Sequence, residues 1–235
     1  MTKPDRFTIA AVQATPVFLD RDRTIDKACD LIADVGRRGA ALAVFPEAFV
    51  PAYPLWTWEN YMPLARYALA AWGEQIHVAP TWDRGEPWLS TMRHAAKEGR
   101  TFVVGCCQPF RKDNIPDRFA FKAKYLADVP AWINPGDSVI VDPDGKIVAG
   151  PAREEETVLY AEVRQAQLVG PRSQLDIAGH YARPDVFELR VHRTARPVLT
   201  RSAATRSDRL ARRAAPAART PPSPQSTAPR SRRRT

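Results

Sequence analysis

Residues 41–54 read Ala-Leu-Ala-Val-Phe-Pro-Glu-Ala-Phe-Val-Pro-Ala-Tyr-Pro. Five apolar residues in succession indicate a strand buried on both faces, since a strand with one wet face alternates apolar with polar. Glu47 follows at once, and after it comes a loop rich in aromatic residues and proline. Taken alone, a glutamate after an apolar run is a solvated loop residue.

Working outward, the chain alternates strand-like with helical patterns. Residues 7–14 predict a first strand. Residues 22–38 predict a helix, with Ile25, Ala28, Cys29, Ile32 and Val35 at helical spacing on one apolar stripe, which places Cys29 in the core. Beyond the loop come a helix over 59–72, a strand over 75–79, a helix over 86–100 and a strand over 101–106. Residues 138–149 hold two strand-like runs around an Asp-Pro-Asp-Gly turn (Asp142 to Gly145), and 157–163 predict a further strand. The pattern is α/β architecture ending in a hairpin.

The formal charge of +9 suggests a nucleic-acid partner until its location is considered. Residues 193–235 hold twelve arginines and one acid, Asp208, a net +11, so residues 1–192 carry −2. A basic groove on the folded part is therefore not expected. The 193–235 segment has no aromatic residue and is built from Arg, Ala, Pro, Ser and Thr, which predicts a disordered basic tail. It reads either as a polybasic arm for nucleic acid or anionic membrane, or as an unselected extension such as out-of-frame translation would yield. The missing aromatics, which a stacking platform needs, favour the second. The longest apolar stretch, 40–58, carries Glu47 and three prolines, so no membrane span is expected. A polar N-terminus without a signal-like apolar core and three cysteines at no metal spacing (Cys29, Cys106, Cys107) suit a cytoplasmic protein with reduced thiols.

Several stretches resemble the nitrilase branch of the carbon–nitrogen hydrolases, in family order: Ala-Ala-Val-Gln-Ala at 10–14 with Pro16, residues 44–54, Trp-Glu-Asn-Tyr-Met-Pro-Leu-Ala-Arg at 58–66, Gln-Ile-His-Val-Ala-Pro-Thr-Trp-Asp at 75–83, and Ala-Gly-His-Tyr-Ala-Arg-Pro-Asp-Val-Phe at 178–187. The resemblance covers most of residues 7–193. It implies a four-layer α-β-β-α sandwich, pairing into dimers across a helix face, and hydrolysis of a nitrile to a carboxylic acid and ammonia without metal or organic cofactor.

That chemistry needs a thiolate nucleophile, a glutamate base and a lysine that stabilises developing negative charge. Glu47 matches the family glutamate, and its context reverses the solvated-loop reading. Tyr53, Trp56 and Trp58 either line the substrate pocket or pack in the proline-rich loop. The family's long stretch between the glutamate and the cysteine is absent. The loop after the glutamate runs directly into the segment that follows the nucleophile, the two sharing Trp58, and Thr57 stands where the family has its cysteine. None of Lys3, Lys27, Lys97, Lys112, Lys122, Lys124 and Lys146 lies in a family-like lysine context. Cys106 and Cys107 match a stretch downstream of the nucleophile and read as a core thiol and its neighbour on the opposite strand face. His180 reads as fixing the C-terminal segment or a subunit contact.

The expectation is thus a domain over 1–192, deleted internally near 57–59, and a tail over 193–235. The sheets of the sandwich should be incomplete and the chain self-associating. A nitrile would be the small-molecule substrate of an active chain, but activity is expected to be lost; a non-catalytic subunit of a nitrilase-type assembly and tail-mediated nucleic-acid binding are the alternatives. Brief trypsin treatment should trim the chain to a body ending near Arg193 with unchanged circular dichroism; protection of the arginines between 206 and 219 would show the tail to be folded.

Overall fold

The computed structural model describes residues 6–50 and 63–191. The expected tail, Tyr53, Thr57, Trp58 and the first residues of the helix expected over 59–72 lie outside the described residues.

Among the described residues, eight strands form two sheets. In the first, strand β1 (Arg6–Gln13) lies between β2 (Ala40–Val44), which runs parallel to it, and β8 (Thr157–Arg164), which runs antiparallel. In the second, β3 (Ile76–Thr81) pairs in parallel with β4 (Phe102–Cys107), which pairs antiparallel with β6 (Trp132–Val141); β5 (Pro109–Arg111) and β7 (Ile147–Arg153) also bond to β6. Gly105 opposite Val139 and Pro109 opposite Pro135 keep one register, so β5 continues β4 beyond an interruption at Gln108.

Three apolar interfaces define four layers. Helix α1 (Arg21–Arg37) covers the first sheet, with Val35, Ala28 and Leu31 against Ala10, Val12 and Ala43. Ile9, Ala11 and Val44 of the first sheet meet Val104, Cys106 and Ile140 of the second. Helix α3 (Gly85–Gly99) covers the far side of the second sheet, its Trp88, Leu89 and Met92 against Val103, Cys107, Val139 and Val141. Alternation along each strand supplies both faces, which is why the central strands are apolar throughout. The expected α-β-β-α sandwich is the observed one. The layers are completed by α2 (Pro63–Ala71), α4 (Ala120–Tyr125) and α5 (Val169–Gln174). No helix among the described residues is long and apolar enough to cross a membrane.

Two expectations need correction. Cys29 is exposed rather than in the core, and Ile25 and Ile32 are exposed with it. The face of α1 on the sheet runs instead through Thr24, Ala28, Leu31 and Val35, because one helix turned onto three strands can bury only one of two adjacent apolar stripes. Strand β2, expected to be buried on both faces, is an edge strand among the described residues, with Ala41 exposed. Beyond these, β6 begins before the expected hairpin, taking in residues 132–137, although their Asn-Pro-Gly-Asp has the composition of a turn.

Asp137 in that stretch holds two layers together. Its backbone adopts φ +85°, and its fully buried carboxylate accepts the Gly85 N–H at 2.7 Å and pairs with the Arg153 guanidinium at 2.7 Å. The N-terminus of α3, whose N-cap Arg84 makes no side-chain cap bond, is capped from the neighbouring sheet. Asp137→Ala should lower unfolding free energy in urea by about 2–3 kcal/mol, through the lost cap and the left-handed backbone, and Asp137→Asn by less.

Candidate active site

Parallel strands β1 and β2 and parallel strands β3 and β4 each deliver their C-terminal ends to one rim, the usual place for a site in an α/β sheet. Glu47 lies three residues beyond the end of β2, half-buried in a turn. Ala48 beside it adopts φ +47°, a left-handed conformation that costs a β-carbon-bearing residue about 1–2 kcal/mol. Two contacts hold it. Phe49 is buried against the α1 layer and stacks at 5.3 Å on Phe45, and the Gln108 side-chain N–H donates to the Glu47 carbonyl at 2.9 Å.

Gln108 is fully buried at the interruption between β4 and β5, so its side chain bridges the second sheet to the turn that carries Glu47. Sequence reasoning missed this residue; the available signal was a lone amide closing an otherwise apolar strand. Further polar groups at the same rim are also tied down. Gln13, at the end of β1, accepts the Ser138 N–H at 2.8 Å and donates to the Glu155 carbonyl at 2.9 Å. Thr15 donates its hydroxyl to the Pro109 carbonyl, and its backbone N–H is taken by Glu156 at 2.9 Å. Asn134 donates to the Trp82 carbonyl at 2.6 Å. Trp82, Phe110, Phe18 and Phe119 follow one another with ring centroids 5.6–6.0 Å apart.

The lysines described here are engaged elsewhere or solvent-facing. Lys27 is held by Glu156 at 2.7 Å and by the Thr15 carbonyl at 2.8 Å. Lys112 and Lys122 donate to the carbonyls of Ala127 and Ile115; Lys97 is exposed, and Lys124 lies over Tyr125. His77 is paired with Glu74 at 3.0 Å, and exposed His180 contacts the Tyr181 ring. No cluster of potential metal ligands occurs among the described residues.

Cys106 and Cys107 sit in the two cores on opposite faces of β4, as the sequence predicts. The Cys106 thiol donates to the carbonyls of Val12 and Val44 at 3.2 Å, and burial pushes it far above its ordinary pKa of 9.0, outweighing the hydrogen bonds that act the other way. Cys107 is raised likewise, first by burial, with the nearby carboxylates of Asp137 and Asp83 adding to it. A thiol that stays protonated is neither a nucleophile nor a metal ligand. Of the predicted site residues, then, the described structure places Glu47 alone, with neither downstream cysteine available to it.

A sequence model of the carbon–nitrogen hydrolase family matches residues 8–57 and 54–170, two stretches that overlap at 54–57. The chain is 37% identical over 198 residues to a nitrilase of Bradyrhizobium diazoefficiens, covering 80% of this chain and 61% of that one. It is 42% identical over 133 residues to an aliphatic nitrilase of Sinorhizobium fredii, covering 56% and 42%, and 41% identical over 134 residues to an arylacetonitrilase of Trametes versicolor, covering 57% and 42%. The chain thus spans between about two fifths and three fifths of these relatives' lengths. Among solved structures, Saccharomyces cerevisiae Nit3 of the nitrilase superfamily superposes with a TM-score of 0.58 at 14% identity, covering 75% of this chain and 97% of that one. An amidase of Nesterenkonia gives 0.53 at 14%, covering 73% and 95%, a likeness of fold.

The thiols set a pH dependence. Above pH 9.0 the unfolded chain loses protons that the folded chain keeps at Cys106 and Cys107, so the folded state binds more protons and stability falls as pH rises. Urea unfolding should show a decline approaching about 1.4 kcal/mol per pH unit for each thiol, and a flatter profile in Cys106→Ala and Cys107→Ala.

Proposed function

The chain belongs to the carbon–nitrogen hydrolase family, on its nitrilase branch, and from that premise we propose that it retains the nitrilase scaffold and glutamate but does not hydrolyse nitriles. The observation that carries this reading is the break in the family match. The family model matches in two stretches that overlap at residues 54–57, which supports the reading that a family segment carrying the cysteine is missing there, with Thr57 in the place before Trp58.

Nitrile hydrolysis begins when a thiolate adds to the nitrile carbon, its proton having passed to a carboxylate base; a cationic donor stabilises the charge that develops on nitrogen. Water then displaces ammonia from the thioimidate, and a second water releases the acid. Glu47, fixed through its carbonyl by Gln108 and followed by the left-handed turn at Ala48, supplies the base. The described lysines that could supply the cation are tied to Glu156, to carbonyls or to solvent, and the described thiols are an exposed Cys29 and two protonated core groups. A threonine hydroxyl at position 57 would need both an activating base and a cation of this kind to act as the nucleophile. The three groups act as a unit, so loss of two removes nearly all the rate. Tyr53 and Trp58 belong to the substrate loop in this reading, the domain ends near residue 192, and the chain is a cytoplasmic, self-associating member whose retained four layers suit a non-catalytic subunit.

The test is ammonia release from small aliphatic and aromatic nitriles. The purified chain, Glu47→Gln and Thr57→Cys should all remain at background, the last because a thiol alone lacks the cation and the strands that would aim it. Ammonia release by the unmodified chain that disappears in Glu47→Gln would establish a working site.

A further inference from the structure

We propose that residues 165–177 form a strap that holds helix α2 and strand β3 against the second sheet, and that this unit, residues 63–79, opens by itself when the strap lets go. The inference is independent of the catalytic reading above. Strand β8 runs into a short helical turn, Gln165–Leu168, whose Leu168 is buried in the core between the sheets and anchors one end of the strap. Helix α5 follows with no buried residue of its own, so its place depends on what its side chains reach.

Two contacts decide that place. The Arg172 guanidinium donates from Nε to the Arg100 carbonyl at 3.2 Å and from a terminal nitrogen to the Glu74 carbonyl. Arg100 caps the C-terminus of α3, and Glu74 lies three residues beyond the end of α2, so one cation serves the carbonyl-bearing ends of two helices, where positive charge is favoured. The same two residues precede β3 and β4, which pair in parallel from Ile76 and Phe102. Arg172 therefore bridges this strand pair at the end opposite the Glu47 rim. Ile177, half-buried three residues past α5, adds an apolar contact, lining a small cavity with Arg66 of α2, Glu74, His77 of β3 and Thr101.

The unit beneath the strap is thinly packed. Strand β3 is an edge among the described residues and bonds to β4; Pro80 has no N–H to give, and Val78 is exposed. Ala68 is the one buried residue of α2 and Thr81 the one buried residue of β3, whereas all six residues of β4 are buried. Sparse burial of this kind marks a region that opens at lower free energy than the core. The ion pair from Arg66 to Glu98 of α3, 3.5 Å long and partly exposed, adds little, and the His77 to Glu74 pair lies within the unit itself. What ties residues 63–79 to the rest, beyond the β3–β4 ladder, is concentrated in Arg172 and Ile177.

Hydrogen exchange of the full chain, read by mass spectrometry in urea below the unfolding midpoint, should show residues 64–79 exchanging through an opening that leaves β1 and β6 protected. Arg172→Met keeps the aliphatic stem and removes the donors. It should speed exchange over 64–79 by about tenfold or more with β1 and β6 unchanged, and Ile177→Ala should act in the same region to a smaller degree. Arg172→Lys, which retains the charge and part of the bonding, should lie between Arg172→Met and the unmodified chain. Exchange of 64–79 only together with β1 and β6 in the unmodified chain would overturn the proposal, as would an equal acceleration of all strands, or none, in Arg172→Met. Should Arg172→Met not fold, the urea series on the unmodified chain and the same comparison with Arg172→Lys decide it.

Discussion

Strand β1 is the constraint on which the other layers depend. Ile9 to Val12 have no exposed surface, and alternate side chains enter different cores: Ile9 and Ala11 fill the seam between the sheets, while Ala10, Val12 and Ala14 meet the α1 layer. The period of two in a pleated strand makes this division strict, since a one-residue slip would exchange the two sets. Small alanines alternating with branched residues let the second sheet approach from one side and a helix from the other. Both β2 and β8 are registered on this strand, so the turn bearing Glu47 takes its position from it.

The rim of the sandwich shows how a buried polar residue transmits that order to a site. At Gln108 the β4–β5 strand is interrupted, and the freed side chain crosses between sheets to the Glu47 carbonyl. A buried amide without such a partner would be costly, so the bond both satisfies the glutamine and fixes the turn. Ala48 keeps its left-handed backbone because Phe49 is anchored in the α1 core on one side of it and Gln108 restrains the other. The described residues thus hold Glu47 in a fixed place at the rim.

The thiols of β4 illustrate the difference between presence and competence. Cys106 and Cys107 end β4 of the second sheet, next to the Gln108 that binds the Glu47 turn, yet burial in two separate cores keeps both protonated. Cys29 is accessible but lies on the outer stripe of α1. Its exposure belongs to the same geometry that leaves β2 as an edge: a three-stranded sheet offers one helix a single row to pack against, and whatever is apolar beyond that row faces outward.

The elements β1 to β4 with the helices between them, the hairpin of β6 and β7, strand β8 and the family were legible in residues 7–163, because period-two and period-3.6 patterns are local and the Phe-Pro-Glu-Ala-Phe context is specific. So was the burial of Cys106 and Cys107 on opposite faces, which follows from adjacency in an apolar strand. Tertiary structure alone decided what depends on the count of neighbours. The run at 41–45 is equally apolar in a central or an edge strand, and the α1 stripe containing Ile25, Cys29 and Ile32 cannot announce how many strands lie beneath it. The Asn-Pro-Gly-Asp of residues 134–137 has turn composition, but it is held in a strand by Gln13 against Gly136 and by the cap that Asp137 gives α3. Gln108 acquires its role only when two sheets are stacked, since the carbonyl it binds lies sixty-one residues away in the chain. Local periodicity fixes which residues are strand or helix; which of their faces are covered is a property of the packed layers.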